Sequence, residues 1–380
     1  MTKVLIFDPQ IGGHHLDYVR RIFDALYTDF HVIISTNNRL KDTTEFSMYF
    51  SDRINNLTYD LFPPLDTSGF MFFFRSYFQL IKAIHKNKPD VVFLPYADGI
   101  SYIIGLFNCF YFMPKKIRYF GIMMRNDFAY QSRIHFTTKL KLFLLEKSPF
   151  NCLFWLDSEA VLWFASNRKK LALVSKVLYE PCNTQSPISR KEACSLFGVN
   201  MDRRYIGIAG VIDPRKGINL LLDSIKSSFL PDDVCLFLAG RFDPQVLDLV
   251  YSQYKELLDC GKIHVINKVL SETELTGALC LMDVVCATYV NHAGSSGIVS
   301  LAMQMRKFIV GPDLGWLGRN LKIYDRSVVY HTIDTIIPSI IEALHKSSLN
   351  CLSPSSSNLI SPPPCFEAII RAEVLENKGF

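Results

Sequence analysis

At 380 residues the chain exceeds the size of one ordinary domain, and about 150 residues per domain predicts two or three. With 49% hydrophobic and 20% charged residues it can bury large cores, which excludes long disorder. The 41 Lys and Arg against 36 Asp and Glu leave a net charge of +5, too thin for the dense basic stripe of a nucleic-acid binder, although an anionic ligand or membrane surface fits it. No apolar run is long enough for a spanning helix, the nearest being Gly99–Met113, interrupted by Asn108. The chain opens on a strand-like run without the features of a signal peptide, and its ten cysteines form no C-x-x-C, so reduced thiols in a cytoplasmic protein are expected.

Val4–Asp8 reads as a short apolar strand, buried on both faces in the manner of a parallel sheet. Gly12-Gly13-His14-His15 follows. Leu16, Val19, Ile22, Phe23 and Leu26 then recur at helical spacing, and His31–Ser35 reads as the next strand, completing a βαβ unit. The alternation continues with a helix over 72–85, a strand over 90–95, a helix over 99–112, a strand over 117–124, a helix over 139–147 and a strand over 151–156. A linker is expected at 180–189.

The period then restarts. Strands are predicted at 205–209, 234–239, 263–266, 283–287 and 308–310. Helices are predicted at 217–227, 244–258, 272–281 and 295–304. The Ser/Pro-rich stretch 352–364 reads as a surface crossing before a last helix at 365–376. The expected class is α/β, with two parallel-sheet domains and a ligand cleft between them.

Four places could carry chemistry. Gly12, Gly13, His14 and His15 sit at a strand-to-helix turn, where glycines let a ligand approach the backbone and the helix start offers amides to an anion. Gly210–Gly217 places Arg215 and Lys216 ahead of a helix, a charge arrangement suited to a diphosphate; the bland reading is a solvated basic pair. Gly294-Ser295-Ser296-Gly297 opens another helix as an anion cradle, with Ser295 or Ser296 as its N-cap. Tyr96-Ala97-Asp98 and Arg125-Asn126-Asp127 end two strands and would face the crevice. Asp-x-Asp, Walker, H-E-x-x-H, G-x-S-x-G and G-x-G-x-x-G motifs are absent. The aromatic cluster Phe70–Phe78 reads as core plus surface, with a membrane- or acceptor-facing role as the alternative.

At this point several segments resemble a known family. GVIDPRKGINLLLDSI resembles the strand–loop–helix of GT-B glycosyltransferases, especially the retaining group called family four. VINKVLSETELTGALCLMDVVCATY is similar to that family's nucleobase strand, S-x-x-E-L helix and following strand. GSSGIVSLAMQMRKFIVGPDLGWLGR resembles its phosphate-loop helix, and IFDPQIGGHHLDYVRRIFDAL the acceptor-domain opening of some members. Three positions depart from the pattern: Val211 stands where an Arg is common, and Ala293 and Leu301 stand at the two positions of the E-x7-E pair, whose second Glu is expected to hold the donor ribose.

The resemblance implies a GT-B fold: two Rossmann-like domains facing across a cleft, with an acceptor-binding domain at 1–182, a nucleotide-sugar-binding domain at 183–355 and a terminal helix at 363–380 packing back on the first. It implies transfer of a sugar from a nucleotide-diphosphate sugar to an acceptor hydroxyl, without a metal or other cofactor and with retention. His14, Asp98 and Lys216 would be catalytic. Gly12, Gly13, Arg215, Lys216, Lys268, Val269, Leu270, Gly294, Ser295, Ser296 and Gly297 would bind the donor, and His15, Tyr96 and Arg125 the acceptor. A saccharide or lipid-linked saccharide acceptor, with peripheral contact at the inner membrane face, fits aromatic and basic residues such as Phe72, Phe73, Phe74, Arg75, Lys82 and Lys86; no nucleic-acid partner is implied. The alternatives are a non-catalytic GT-B homologue binding nucleotide sugar or a partner transferase, a sugar-nucleotide epimerase, and a Rossmann-type oxidoreductase.

Overall fold

The computed structural model describes the chain except residues 13–14, 52–56, 111, 132, 182–187, 229, 291, 293, 351–364 and 377–380, and except the side chains of 45, 48 and 350. The chain divides into two compact units, Met1–Pro181 with Pro363–Phe380, and Cys182–Pro362.

In the first unit seven strands form one parallel sheet: β1 Lys3–Phe7, β2 His31–Asn37, β3 Thr58–Phe62, β4 Val91–Leu94, β5 Arg118–Met123, β6 Phe150–Trp155 and β7 Ser175–Val177. Their order is β3-β2-β1-β4-β5-β6-β7. The unbroken apolar run in β1 is explained by its two-sided burial. Val4 and Ile6 enter one core, with the helix His15–Leu26 and the terminal helix Phe366–Glu376. Leu5 and Phe7 enter the other, with the helices Gly69–Asn87, Ile100–Asn108 and Phe136–Lys147. The terminal helix is fixed to this unit by Phe366 edge-on to Tyr18, by Arg21 on Glu367 at 3.0 Å, and by Arg118 donating to the Val374 carbonyl at 3.0 Å.

The second unit holds a six-stranded parallel sheet: β8 Arg204–Ala209, β9 Val234–Gly240, β10 Ile263–Asn267, β11 Val284–Cys286, β12 Phe308–Pro312 and β13 Ser327–Tyr330, in the order β10-β9-β8-β11-β12-β13. Both sheets are doubly wound. Strand order reverses between β1 and β4 in the first unit and between β8 and β11 in the second, and at such a reversal the loops after the strands diverge and leave a crevice at their carboxyl ends.

The structure also departs from the sequence reading in places. The helix expected over 244–258 breaks at Tyr254 into Pro244–Gln253 and Lys255–Asp259. Tyr254 turns inward, is buried, and donates its hydroxyl to Asp223 at 2.5 Å. The helix expected over 99–112 ends at Asn108. β3, β7 and β13 and the helices Ser158–Asn167, Gly315–Ile323 and Ile336–Asn350 were not foreseen. The expected crossing at 352–364 lies outside the described residues. No helix among the described residues is long and apolar enough to cross a membrane.

Candidate functional site

In the second unit the loops after β8 and β11 interlock at the strand-order reversal. After β8, Asp213 caps the short turn Pro214–Lys216, accepting from the Arg215 amide. Gly217 ends that turn at φ 64°, and a Cβ there would lie 2.0 Å from the Thr288 carbonyl oxygen, so only glycine lets the loop after β11 press this close. Thr288 returns the contact by donating its hydroxyl to the Lys216 carbonyl at 2.8 Å, and the Val290 amide donates to the Arg215 carbonyl at 2.9 Å. The two loops are thereby held as one frame.

Inside this frame Lys216 is 8% exposed. Its ammonium donates to the Tyr289 hydroxyl at 2.8 Å and weakly to the Ala209 carbonyl at 3.4 Å, and it lies 4.8 Å from the Tyr289 ring centre. The Tyr289 hydroxyl meets Ser296 Oγ at 2.7 Å, and Ser296 Oγ accepts from the Val299 amide at 3.4 Å. Ser296 is thus the N-cap of the helix Gly297–Gln304. The result is a chain from cation through phenol and serine to a helix start. An ammonium has three N–H donors, and one has no acceptor among the described residues. The amides of Gly297 and Ile298, which open the helix, likewise have none there. One unspent ammonium donor and two unspent amides at a positive helix end suit a phosphate group.

The neighbouring expected residues divide. Gly294 is buried, and Ser295 accepts at its carbonyl from His292 Nε2 at 3.0 Å when that nitrogen carries the proton. Arg215 leaves its neighbour: it points outward, 62% exposed, and forks onto Asp213 at 2.6 Å, so consecutive residues serve different surfaces. Lys268, Val269 and Leu270 follow β10, two strands from β8. The Lys268 amide is spent on the Gly240 carbonyl, and its ammonium is paired with Glu274 at 2.5 Å. Leu301, at one place of the resembled acidic pair, is buried; Ala293 lies outside the described residues.

In the first unit the equivalent crevice follows β1 and β4. Asp8, just past β1, is 2% exposed; it accepts from the Gln10 amide at 3.0 Å and bonds His15 Nδ1 at 2.7 Å. Burial of the His15 ring disfavours its charge, but Asp8 outweighs burial and the imidazole pKa is raised above its ordinary value. The ring packs on Tyr96, centre to centre 4.7 Å. Asp98 is buried and accepts from the amides of Met124 at 2.8 Å and Arg125 at 3.1 Å, tying the end of β4 to that of β5. Burial raises its carboxyl to about 6, against those two amides. The Arg125 side chain is exposed. Together Asp8, His15, Tyr96 and Asp98 line a recess closed by Phe72 and Phe73; its space, about 10 Å³, is that of one water and too small for a sugar ring. Gly12 is exposed, whereas Gly13 and His14 lie outside the described residues.

Three participants escaped the sequence reading: Asp8, Tyr289 and His292. Asp8 carried a signal, because an acid ending an apolar strand faces the crevice. Tyr289 follows an apolar strand with no polar pattern of its own, and its partner Lys216 is distant in sequence.

Two doubly wound parallel sheets in these strand orders define the GT-B fold, and solved structures agree. The chain is similar over 99% of its length to 99% of HepE from Anabaena, solved in complex with UDP and glucose, at 13% identity and a TM-score of 0.70. It is similar over 97% of its length to 94% of WaaG, a glycosyltransferase involved in lipopolysaccharide biosynthesis, at 13% identity and a TM-score of 0.67. A UDP-GlcNAc 2-epimerase from Methanocaldococcus jannaschii shares the fold over 99% of this chain and all of its own, at 13% identity and a TM-score of 0.60. No protein-family model matches the chain, and no curated protein matches it in sequence. Likeness at such identities establishes the fold, on which transferases and an epimerase both occur.

Proposed function

We propose that the protein is a glycosyltransferase that moves a sugar from a nucleotide-diphosphate sugar to an acceptor hydroxyl in the assembly of a cell-surface polysaccharide or lipopolysaccharide. The observation that carries this reading is the buried Lys216 ammonium, fixed by Tyr289 beside the capped start of Gly297–Gln304 at the strand-order reversal of the second unit. The UDP complex of HepE and the involvement of WaaG in lipopolysaccharide biosynthesis supply the donor and pathway class for comparison.

In this reading the bond from the anomeric carbon to the diphosphate oxygen breaks, and negative charge grows on the departing diphosphate. Lys216 and the Gly297 and Ile298 amides stabilise that charge; being fixed beforehand, they need no rearrangement as it develops. The acceptor oxygen bonds the anomeric carbon on the face the diphosphate leaves, and its proton passes to a donor phosphate oxygen. No protein nucleophile is required, and configuration is retained. Arg215 and the stretch Lys268–Leu270 contribute to the donor's outer contacts. His15, Tyr96 and Arg125 contribute to the acceptor's, with Asp98 as the positioning residue that holds the Arg125 backbone. Gly12, Gly13 and His14 precede His15 in the chain and are assigned to the donor and the reacting centre, with His14 as the proposed catalytic histidine. The place of action is the cytoplasmic face of the membrane, where a lipid-linked saccharide is available. A second reading, a non-catalytic GT-B homologue, draws on the absence of any carboxylate from Gly297–Gln304.

The test is thermal-shift binding of UDP, GDP, ADP, CMP and their common sugar conjugates to the wild type and to Lys216→Ala. A shift for one nucleotide that is lost in the variant is the expected result. Well-folded protein that responds to none of them contradicts the proposal.

A further inference from the structure

The amino ends of the second sheet gather cations. The strands of a parallel sheet all begin at one end, so this end lies opposite the loops after β8 and β11 that hold Lys216 and Ser296. Beside the starts of β8, β11, β12 and β13 runs an open groove of about 520 Å³, walled by Arg190, Arg203, Arg204, Arg306, Lys307 and Arg326. Two acids line it, Asp202 and Asp283. A space of this volume suits a small organic molecule more than a single ion.

Folding stability accounts for part of this cluster. Arg190 braces the end of the sheet: it donates to the Leu281 carbonyl at 2.8 Å, to the Arg203 carbonyl at 2.7 Å and to both oxygens of Asp283, which also accepts from the Tyr205 amide at 2.7 Å. Arg204 pairs with Asp233 at 2.5 Å and Arg306 with Asp325 at 2.7 Å, but these four side chains are 32–61% exposed, and such pairs contribute at most about 1 kcal/mol. Arg203, Lys307 and Arg326 donate to the backbone carbonyls of Asp232, Cys280 and Arg306, the last two at 3.0 Å. A carbonyl fixes a cation in place without cancelling its charge. Three of the guanidinium groups also lie over rings, Arg190 over Tyr205, Arg306 over Tyr324 and Arg326 over Phe308, 5.6–6.0 Å from the centres. A guanidinium stacked by its face presents the N–H donors of its edge to a planar pair of oxygens, as in a carboxylate or a phosphate.

We infer that this groove binds a small polyanion, a soluble molecule carrying two or more phosphate or carboxylate groups. The cations reach the groove from four separate segments of the chain, so one ligand with several anionic groups engages several of them at once. Asp233 and Asp325 already dock on the Arg204 and Arg306 forks, and because those pairs are exposed a ligand oxygen replaces either carboxylate at little cost in stability. A nucleic acid needs a longer basic track than six cations around one groove. The site shares no residue with the donor frame or with the acceptor-side loops, so it stands apart from the transferase reading.

The test is calorimetric titration of inorganic tripolyphosphate and of citrate into the full chain at low salt. Lys216→Met serves as the background, because it removes the cation of the donor frame and leaves the groove intact. That protein should still bind tripolyphosphate at one site. Adding Arg203→Gln/Arg306→Gln, both at exposed positions, should weaken the binding about tenfold or more. Adding Arg326→Lys instead keeps the charge and removes the fork, and should weaken it about threefold, which attraction by charge alone would not do. Tripolyphosphate bound at least tenfold more tightly than citrate assigns the groove to a phosphate-bearing ligand, and citrate bound as tightly or more assigns it to a carboxylate-bearing one. Absence of binding by either anion, or binding that both groove substitutions leave unchanged, overturns the inference.

Discussion

Replacing Lys216 with methionine isolates what its charge contributes. Methionine keeps an unbranched stem in the buried channel and removes only the ammonium. In the ligand-free protein two contacts disappear, at 2.8 Å to Tyr289 and 3.4 Å to the Ala209 carbonyl. The cost of burying a charge disappears with them, and Tyr289 keeps its bond to Ser296. Folding stability should therefore move by no more than about 1 kcal/mol. Nucleotide binding should respond far more. A charge-assisted hydrogen bond to a phosphate contributes about 1.5–3 kcal/mol, which predicts UDP affinity falling about 10- to 150-fold. Calorimetric titration of UDP into both proteins at low and moderate salt is the assay, and the wild type should lose more affinity with salt than the variant. A variant that binds UDP within about twofold of wild type refutes the placement of the diphosphate at Lys216, whatever happens to its melting temperature.

Three further perturbations follow from the same geometry. Tyr289→Phe keeps the ring over the ammonium but removes the hydroxyl that fixes it, so UDP affinity should fall by about 1 kcal/mol in the same titration; unchanged affinity would show that the phenol does not position Lys216. Gly217→Ala puts a Cβ 2.0 Å from the Thr288 carbonyl at a φ of 64°, and should destabilise the second unit by about 2 kcal/mol or more, read as a lower thermal midpoint; an unchanged midpoint would mean the two loops do not interlock as described. The raised carboxyl of Asp98 makes the folded state hold its proton more tightly than the unfolded state. That stabilisation is complete below the ordinary value of 3.8 and is lost as pH rises through about 6. Relative to Asp98→Asn, the wild type should lose about 3 kcal/mol of stability between pH 3.5 and pH 7 in denaturant titrations, and a pH-independent difference would contradict the burial argument.

The parts of the fold legible in the sequence are those where burial is two-sided. Val4–Phe7, Val91–Leu94 and Val234–Gly240 are buried at every residue and so on both faces, and an apolar run suffices to find them. The elements that escaped lack that signature. β3 contains Asp60, tolerable there only because Ser35, Lys86 and Asn87 all donate to it, contacts that exist only after folding. β7 has three residues, too few for any periodicity. The site divides in the same way. Lys216 and the Ser295–Gly297 loop could be singled out because each lies between an apolar strand and a helix, at the carboxyl end of a parallel strand. Arg215 and Lys216 looked like a pair because they are adjacent, but the turn Pro214–Lys216 sends one inward and the other to Asp213. Tyr289 joins two loops 73 residues apart in its bond to Lys216, a relation no local pattern encodes.

The central claim is sugar transfer, and release of nucleoside diphosphate tests it most directly. The purified full chain is incubated with the nucleotide sugars of whichever nucleotide it binds, with and without an extract of lipid-linked saccharides, and free diphosphate is followed by mass spectrometry with the sugar-extended acceptor. The account predicts acceptor-dependent release that Lys216→Met suppresses, with one sugar added per diphosphate freed. Nucleotide binding without release under every acceptor condition would contradict it and leave a GT-B protein that holds a nucleotide sugar without transferring it.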